Sequence, residues 1–372
     1  MPHFEYRLAT PADDSDLRRM LREHPFPGRI QVTFEREPDF FLGARVEGPF
    51  HQTTIVRDTR TGQLVAMLSR SMREVYCNGE VEPLGYLSQL RVEPDYRALR
   101  HGIHQMGKLM AQLDEDGRAR VYLISVIQDN TPARRFLTSR LAGMPRMVEY
   151  ARYHTLALHT RRARPALPLP RRLQLVPGSL QHVQVILDCL ERNGRRYQFT
   201  PRWTVDTLFN PAHTPGLCPH DFWLALDGAR AVGCVALWDQ SAFKQTIVHG
   251  YAGWLGALRV PLNAVSWLMG LPRLPAPHQP FRYCFASHLA VDDDNADVFS
   301  ALLRQVYNLA VARGDSYLML GLAERHRFFP LACANYPHID YPSQLYLTGW
   351  QDVQPLIERL DDRPTGIETG VL

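Results

Sequence analysis

A basic turn lies between an apolar strand and a helix in the segment YLSQLRVEPDYRALRHGIHQMGKLM, residues 86–110. Arg97, Arg100, His101 and Gly102 stand together where the strand pattern changes to helical spacing. The N–H groups and partial positive charge of a helix N-terminus favour an anion, glycine lets a phosphate approach, and arginine binds it with two hydrogen bonds. The turn therefore has the parts of a phosphate site, although a solvated basic turn would contain the same residues.

The elements that would position this turn alternate regularly through the first half of the chain. Asn78-Gly79 is a strong hairpin signal between two apolar runs, and Asn130 is a good cap for the helix that follows it. The helix after the basic turn is predicted from Gly102 to about Leu113. The predicted order is strand FEYRLAT, helix PADDSDLRRMLREH, hairpins TTIVRDTRTGQLVAMLSRS and MREVYCNGEVEPLGYLSQLRV, the helix after the turn, strand RVYLISVIQDN, helix NTPARRFLTSRL and strand RMVEYARYHTLALH.

A similar order of elements recurs after the segment RRARPALPLPRR, residues 161–172. Three prolines among five arginines, without periodicity, are typical of a stiff exposed linker. The recurring elements are strand LQLVPGS, helix SLQHVQVILDCLERNG, hairpin FWLALDGARAVGCVALWD, strand YCFASHLAV, helix VFSALLRQVYNLAVARG and strand SYLMLGLA. The sequence thus predicts two diverged α+β units, residues 1–160 and 173–350, followed by a C-terminal tail of residues 351–372.

The composition is that of a soluble globular protein and excludes several classes of function. Of 372 residues 45% are apolar and 22% are charged, and the formal net charge is only +4. The six cysteines have no paired spacing, so we expect reduced thiols in a cytoplasmic protein. The apolar stretch 252–271 is interrupted by Arg259, Pro261 and Asn263, which argues against a membrane span and for a buried or interface segment. We expect neither a nucleic-acid nor a membrane partner, and the oligomeric state is open.

From residue 54 to about residue 158 the chain resembles the GCN5-related N-acetyltransferase (GNAT) superfamily. YLSQLRVEPDYRALRHGI is similar to that family's fourth strand and pyrophosphate loop, usually Leu-x-Val-x-Pro-x-Tyr-Arg and then Q/R-x-x-G-x-G/A. ISVIQDNTPARRFLTSRLAG is similar to its fifth strand and following helix, which carries Asn-x-x-Ala. The resemblance implies an α+β fold of two GNAT-like units, each a mixed, mostly antiparallel sheet with helices on both faces. It also implies acetyl-CoA or another acyl-CoA as co-substrate, and no metal.

The resemblance also implies which residues hold the acyl-CoA. The backbone amides of a bulged fourth strand would hold the pantetheine and polarise the thioester carbonyl, and Asn130 would contact the pantetheine arm. One glycine of the loop pattern is missing, and Leu137 stands where the family often has a tyrosine that protonates the departing thiolate. The implied cofactor-binding residues are Leu90, Arg91, Val92, Arg97, Arg100, His101, Gly102, Ile103 and Asn130.

Acyl transfer to an amine needs a neutral amine, donors for the oxyanion and a proton for the thiolate. Tyr86 and Ser88 on the fourth strand are the candidate catalytic residues, although Tyr86 is equally suited to packing in the sheet. Strand alternation predicts Tyr86, Ser88 and Leu90 on one face and Gln89 and Arg91 on the other. Further polar candidates nearby are Glu80, Glu82, Gln89 and Ser125.

Two other segments could bind ligands. In FEREPDFFLGARVEG, residues 34–48, Glu35, Glu37 and Asp39 could hold a cationic amine, but Pro38 and Asp39 also suit the start of a helix, which we favour. In HTPGLCPHD the residues His213, Cys218 and His220 could bind a metal, but no fourth ligand has a suitable spacing.

The second unit differs at the position of the phosphate turn, where it reads HLAVDDDNADVF. Asp292, Asp293 and Asp294 would repel a pyrophosphate, so we expect that this copy has lost the cofactor and shapes the acceptor pocket instead. Two classes of function remain. The chain is either an acyl-CoA-dependent N-acyltransferase acting on a small amine or peptide, or a non-catalytic protein that binds acyl-CoA or a small ligand on the same fold.

Overall fold

The structure is a computed structural model that describes residues 3–26, 28–96, 100–138, 145–269 and 273–372. Two α+β units follow each other along the chain, as the recurring pattern predicts. The described residues form fifteen strands, β1 Phe4–Leu8, β2 Ile30–Glu35, β3 Phe50–Asp58, β4 Leu64–Cys77, β5 Glu80–Val92, β6 Tyr122–Ile127, β7 Val148–His159, β8 Leu173–Pro177, β9 Thr200–Pro201, β10 Phe222–Asp227, β11 Arg230–Trp238, β12 Gln245–Tyr251, β13 Tyr283–Val291, β14 Tyr317–Ala323 and β15 His338–Thr348.

The helices pack against both faces of the sheet. α1 packs Leu17 and Met20 into the core on one face, and α3 packs Met106 and Met110 on the other. Their bounds are α1 Asp14–Glu23, α2 Phe40–Arg45, α3 Arg100–Asp114, α4 Thr131–Thr138, α5 Val183–Gly194, α6 Val205–Leu208, α7 Trp254–Met269, α8 Ala296–Arg313, α9 Phe328–Asn335 and α10 Gln354–Glu358. In the described part of the chain, no helix has the length and apolar content needed to cross a bilayer.

One mixed sheet runs through both units in the order β1-β3-β4-β5-β6-β15-β7-β14-β13-β11-β10-β8, and β9 adds to β4. Its parallel pairs are β5 with β6 and β13 with β14, and the other pairs are antiparallel. β15, from the second half of the chain, lies between β6 and β7 of the first half. Each half thus completes the other's sheet, an exchange that local sequence patterns do not predict.

A second, smaller sheet also joins the halves. β2 pairs antiparallel with β12, with Val32 opposite Val248, so the ribbon lies beside the first unit but takes one strand from each half. The segment 161–172 has no regular structure, yet Arg164 donates to the backbone oxygen of Asn335 at 2.6 Å and lies over the ring of Tyr336. The predicted domain boundaries stay a prediction, since the sheet is continuous across them.

Candidate functional site

A wedge opens in the middle of the first unit, where β5 and β6 separate. The two strands pair only at Gly85 with Tyr122 and at Tyr86 with Leu123. Gly85 is required at this closing point, because a Cβ there would lie 2.2 Å from the ring of Tyr122. Beyond it β5 continues to Val92 and β6 to Ile127 without a ladder between them. Backbone groups of both strands therefore face a gap rather than each other.

β5 carries a bulge at the mouth of this wedge. Ser69 of β4 pairs with Ser88 and Met67 with Arg91, so three steps on β5 match two on β4, and Gln89 takes a φ of +56°. The bulge reverses the predicted alternation beyond Ser88. Leu90 packs in the same core as Leu87, and Arg91 lies over the ring of Phe26 on the other side. The prediction that Leu90 shares a face with Tyr86 and Ser88 is therefore wrong, because the extra residue inverts the period.

A cavity of about 370 Å³ occupies the wedge. β5 and β6 form two of its walls, α4 closes one end, and the second half of the chain supplies part of the opposite side. Residues of both halves line it, among them Phe34, Glu35, Arg36, Tyr86, Ser88, Gln89, Leu90, Arg91, Ser125, Asn130, Leu137, Lys244, Gln245, Tyr283 and Leu372.

A buried polar cluster lies beneath Ser88. The carboxylate of Glu47 is fully buried and pairs with the guanidinium of Arg36, which is also buried. Ser88 Oγ donates to Glu47 Oε2 at 2.6 Å, and Ser71 Oγ donates to the same oxygen at 3.2 Å. His51 Nδ1 lies 2.7 Å from Ser71 Oγ. Each oxygen of Glu47 thus has a partner, as a buried carboxylate requires.

Burial and neighbouring charges set the protonation states of Glu47 and His51 at neutral pH. Burial alone would raise the pKa of Glu47, but the guanidinium of Arg36 and the other polar groups of the cluster lower it to about 2. Burial lowers the pKa of His51 to about 4, against the effect of Glu47. Glu47 is therefore an anion and His51 is neutral over the physiological range.

Lys244 reaches this cavity from the second half of the chain. Its Nζ donates to the backbone oxygen of Leu372 at 2.7 Å. Burial and the charge of Arg36 lower the pKa of Lys244 to about 8, although Glu47 opposes them. Among the residues that line the cavity, Lys244 therefore has a pKa close to physiological pH.

The predicted site residues lie around this wedge as far as the structure describes them. Leu90 and Arg91 line the cavity, and Val92 pairs with Ala66 at the end of β5. Asn130 lines it too, and its Oδ1 accepts the amide of Ala133 at 3.2 Å as the cap of α4. Arg97 falls outside the described residues. Arg100, His101, Gly102 and Ile103 form the first turn of α3, which begins two residues earlier than predicted, and their side chains are outside the described part.

The two predicted catalytic side chains both line the cavity. Ser88 bonds to Glu47, whereas burial and the charge of Glu47 raise the pKa of Tyr86 above its ordinary value. Leu137, in place of the family's tyrosine, lines the same cavity on α4. The side chain of residue 137 therefore has no proton to donate to a group bound in the cavity.

The acidic segment of residues 34–48, which contains α2, contributes differently from its sequence prediction. Asp39 caps α2 by accepting the amide of Phe41 at 2.8 Å, in agreement with the favoured interpretation. Glu37 pairs with Arg22 at 2.6 Å, and Glu35 lines the cavity. Glu47, at the end of the same segment, is the acid that reaches Ser88, and nothing in its sequence context distinguished it. Lys244 was equally hidden, although it is one of only two lysines in the chain.

The second unit repeats the wedge but fills it with its own chain. β13 and β14 pair from Tyr283 to Phe285 and then separate, and β13 has a matching bulge with a φ of +54° at His288. Glu368 Oε2 accepts the amide of His288 at 2.6 Å, and Tyr153 donates to the backbone oxygen of Ile367 at 2.8 Å. The remaining space is about 70 Å³. We call residues 365–372 the strap.

The acidic turn of the second unit is also occupied by internal contacts. Asp292 pairs with Arg230 at 2.8 Å and with Arg192 at 3.0 Å, and Asp294 pairs with Arg196 at 2.8 Å. These carboxylates stabilise the end of β13 and the start of α8, and the strap closes the wedge beside them. Both features argue against a second acyl-CoA in this unit.

A larger cleft of about 560 Å³ lies at the edge of β4, between the two units, and is lined by Arg45, Arg73, Arg118, Trp203 and other residues. It has neither a strand separation nor a bulge, so we assign the candidate site to the smaller cavity. Within the described ranges, no three His, Cys, Asp or Glu side chains are grouped so as to hold a metal ion.

Comparison with known proteins gives a family match for the first unit and a fold match for nearly the whole chain. Residues 16–143 match the model of the acetyltransferase (GNAT) family. A GCN5-related N-acetyltransferase from Sphaerobacter thermophilus superposes with a TM-score of 0.55 at 12% identity, over 95% of this chain and 97% of that one. N-myristoyltransferase from Saccharomyces cerevisiae, with bound myristoyl-CoA, has a TM-score of 0.60 at 11% identity, over 95% and 84%. A probable N-acyltransferase from Enterococcus faecalis V583 has a TM-score of 0.51 at 10% identity, over 92% of this chain and 72% of that one.

No curated protein matches the chain. At these identities the structural matches show the fold, which is that of proteins with two GNAT units in tandem. The predicted α+β class and the predicted resemblance of the first unit are both confirmed.

Proposed function

Residues 16–143 belong to the GNAT acetyltransferase superfamily, and from this premise we propose that the chain is an acyl-CoA-dependent N-acyltransferase. It would move an acyl group, acetyl in the simplest case, from acyl-CoA to the amine of a small molecule or peptide. The observation that carries the proposal is the open wedge of the first unit, with its bulge at Gln89, beside a closed wedge in the second.

The wedge has the chemistry that a thioester requires. Beyond Tyr86, β5 makes no ladder with β6, so amides at the bulge are available to hold the pantetheine amide groups and to stabilise an oxyanion. Asn130, at the N-terminus of α4, would hold the pantetheine arm. The cavity of about 370 Å³ has room for an acyl group and the end of that arm. Acyl-CoA would supply the activated carbonyl, and the residues of the chain would supply position and charge.

Glu47 and Ser88 would act on the amine. During attack the nitrogen forms a bond to the carbonyl carbon and becomes positively charged, and a buried carboxylate anion stabilises that charge. With a pKa of about 2, Glu47 is a weak base, so we assign it an electrostatic role through Ser88 rather than full proton abstraction.

Lys244 would protonate the thiolate when the carbon–sulfur bond breaks. Its pKa of about 8 is close to that of a thiol, and such a match favours proton transfer near neutral pH. The neutral amine form of Lys244 would then recover its proton from the acylated nitrogen or from water, which balances the reaction. This role replaces that of the tyrosine missing at Leu137.

A second candidate function is binding of acyl-CoA without turnover. Leu137 favours it, because the usual proton donor of the family is absent. The two functions share a donor site and differ only in whether CoA is released when an amine is present.

The test is calorimetric titration of CoA and acetyl-CoA into the full chain, followed by a CoA-release assay with a panel of amines. Asn130→Ala removes a cap and the proposed pantetheine contact, whereas Asn295→Ala removes the cap of α8, where Asn295 accepts the amide of Asp297 at 3.0 Å. Each change should cost about 1 kcal/mol of stability. We expect micromolar binding that Asn130→Ala weakens about tenfold or more and that Asn295→Ala leaves unchanged.

The outcomes separate the alternatives. Binding with CoA release supports the acyltransferase, and binding without release for any amine supports the non-catalytic function. Loss of binding in Gly102→Glu would additionally place the pyrophosphate at the basic turn. Failure of the intact chain to bind either ligand would overturn both functions.

A further inference from the structure

The helix α7 presents its apolar side to solvent. Trp254, Leu258, Val260 and Val265 are 63%, 44%, 65% and 40% exposed. At 100° per residue they fall on one broad arc of the helix, together with Gly256, Ala257, Pro261 and Ala264, which are also exposed. Single exposed apolar residues are ordinary, but a continuous apolar arc marks a surface that contacts something else.

Two polar residues of α7 whose side chains the structure describes lie on its less exposed side. Arg259 and Asn263 are half-buried, and they fall on the arc opposite Trp254 and Val265. Asn263 holds the helix to the chain that follows it, since its amide donates to the backbone oxygen of Leu274 and its oxygen accepts the Leu274 amide, both at 2.8 Å. The arrangement is the reverse of a surface helix of a water-soluble protein, whose polar residues face outward.

The charge around α7 has one sign. Residues 240–291 contain no aspartate or glutamate and include Lys244, Arg259, Arg273 and Arg282. Of these four cations, Lys244 lines the candidate cavity and Arg259 lies on the less exposed side of α7, so the exposed cations of the segment are Arg273 and Arg282. Exposed Arg273 follows the helix, and exposed Arg29 lies at its start, where its backbone oxygen accepts the amide of Ala252 at 2.9 Å.

We propose that α7 lies flat on an anionic lipid bilayer, with the arc of Trp254, Leu258, Val260 and Val265 in the headgroup region. A helix with apolar and tryptophan side chains facing outward and cations at its rim suits such a surface, where lipid takes up the apolar arc and anionic headgroups pair with arginine. Sixteen residues are too few to span the membrane. The proposal departs from the sequence-based expectation of no membrane partner, because which side of α7 faces solvent is a tertiary property.

A second copy of the chain suits the surface less well. A two-fold interface places the same patch against itself. The segment 240–291 offers cations and no carboxylate, so such a contact would bring like charges together without partners. Anionic headgroups remove that repulsion.

The proposal does not depend on the acyltransferase function, but it bears on the candidate cavity between β5 and β6. α7 directly follows β12, whose first residue, Gln245, lines the cavity, and β12 pairs with β2, whose Phe34 lines it too. The length of β12, about 20 Å for its seven residues, would therefore separate a bilayer beneath α7 from the cavity.

The test is flotation of the full chain with vesicles of phosphatidylcholine alone and of phosphatidylcholine mixed with phosphatidylglycerol, at low and high salt. We expect flotation with the anionic vesicles at low salt. Leu258→Glu combined with Val265→Glu should reduce the bound fraction on the order of tenfold or more. Arg273→Gln should reduce it about fivefold, because it removes one cation near an anionic surface. Leu180→Glu is the matched control, since Leu180 is 74% exposed but lies outside α7, and it should float like the native chain.

Three results would overturn the proposal. The first is that the native chain fails to float with anionic vesicles, and the second is that the double variant floats as well as the native chain. The third is that light scattering shows a dimer of the native chain and a monomer of the double variant, while neither protein binds vesicles. Urea unfolding of each variant, compared with that of Leu180→Glu, distinguishes loss of the surface from loss of the fold.

Discussion

Charged side chains from both halves of the chain meet around one cavity. Burial and neighbouring charges shift the pKa of Glu47 and the pKa of Lys244 to different extents. Glu47 stays ionised because Arg36 and Ser88 are bonded to it, whereas burial and the charge of Arg36 lower the pKa of Lys244, whose Nζ donates to the oxygen of Leu372. A buried ion pair of this kind is costly to break, since the remaining charge has no partner. Residue identity alone did not reveal the cluster, because its members are far apart in sequence.

Lys244 makes the stability of the protein depend on pH in an alkaline window. Its pKa is about 8 in the folded protein and 10.5 ordinarily, so the unfolded chain holds this proton more tightly. The free energy of unfolding should therefore rise between pH 8 and 10.5, by about 3 kcal/mol from this group. Urea unfolding at several pH values measures it, and Lys244→Met should remove this rise.

Lys108 provides the control, because it is the other lysine of the chain and its side chain is exposed on α3. Lys108→Met should leave the pH dependence of stability as it is in the native chain. Lysine labelled with ¹³C at Cε gives one resonance for each side chain, and the resonance that Lys244→Met removes should titrate near pH 8. A titration of that resonance near 10.5 would contradict the prediction.

At the scale of elements, the two wedges show how one arrangement serves two purposes. Both have a parallel pair that separates and a bulge with positive φ, at Gln89 and at His288. In the first unit the space is open. In the second, Glu368 accepts the amide of His288 and the strap fills the gap. An internal carboxylate thus occupies the position that a thioester oxygen would need.

Gly321 of β14 is the residue that lets the strap pass. A Cβ at this position would lie 1.4 Å from Thr369 Oγ1 and 2.3 Å from the hydroxyl of Tyr153. Gly321→Ala should therefore displace residues 365–372 and lower the free energy of unfolding by about 1–3 kcal/mol. Hydrogen exchange of the strap, followed by mass spectrometry, should become faster.

A strand glycine without this constraint serves as the comparison. Gly250 of β12 has only the flexible side chain of Gln31 nearby, at 3.4 Å from an added Cβ. Gly250→Ala should leave exchange of the strap unchanged. Slow exchange in Gly321→Ala, equal to that of the native chain, would show that the strap does not occupy this wedge.

Most local elements were predictable from the sequence because their signals are local. The hairpin at Asn78-Gly79, the cap at Asn130 and the helix after the basic turn all follow from residue preferences over a few positions. The change of face at Leu90 was not predictable, since the bulge depends on pairing with β4 and is not visible in the alternation of residues along β5. The α2 cap at Asp39 was one of two alternatives that contacts alone could decide.

At the scale of the whole molecule, the halves are joined by exchanged strands rather than by a linker alone. β15 pairs with β6 from Ser343 to Thr348 and with β7 along most of its length. β7 in turn pairs with β14. Hydrophobic patterns predict β6, β7 and β14, but β15 was not predicted, because its first half contains Asp340 and Pro342 and is mostly exposed. Nor do such patterns show which strand lies beside which, since partners that are far apart in sequence leave no local signal.

The exchange predicts that the first half does not fold alone. A fragment of residues 1–160 lacks β15 and β12, so β6, β7 and β2 lose partners and expose strand edges that aggregate. We expect this fragment to be unfolded or insoluble, and the full chain to unfold in one cooperative transition. Circular dichroism and calorimetry of the full chain and of the fragment measure this.

Mixing the two fragments is the complementary experiment. Residues 1–160 and 161–372, refolded together from urea, should recover the native circular dichroism spectrum that neither gives alone. A soluble first fragment with a native-like spectrum and its own sharp transition would contradict the prediction and favour two independent domains.

The position of β15 also determines when the first sheet can be completed during translation. Thr348 pairs with Tyr122, which left the ribosome 226 residues earlier. Domains usually fold in order as they emerge, but here the first sheet stays incomplete until residue 348 has been translated. The nascent chain therefore carries the unpaired edge of β6 throughout that interval, and an exposed strand edge favours aggregation.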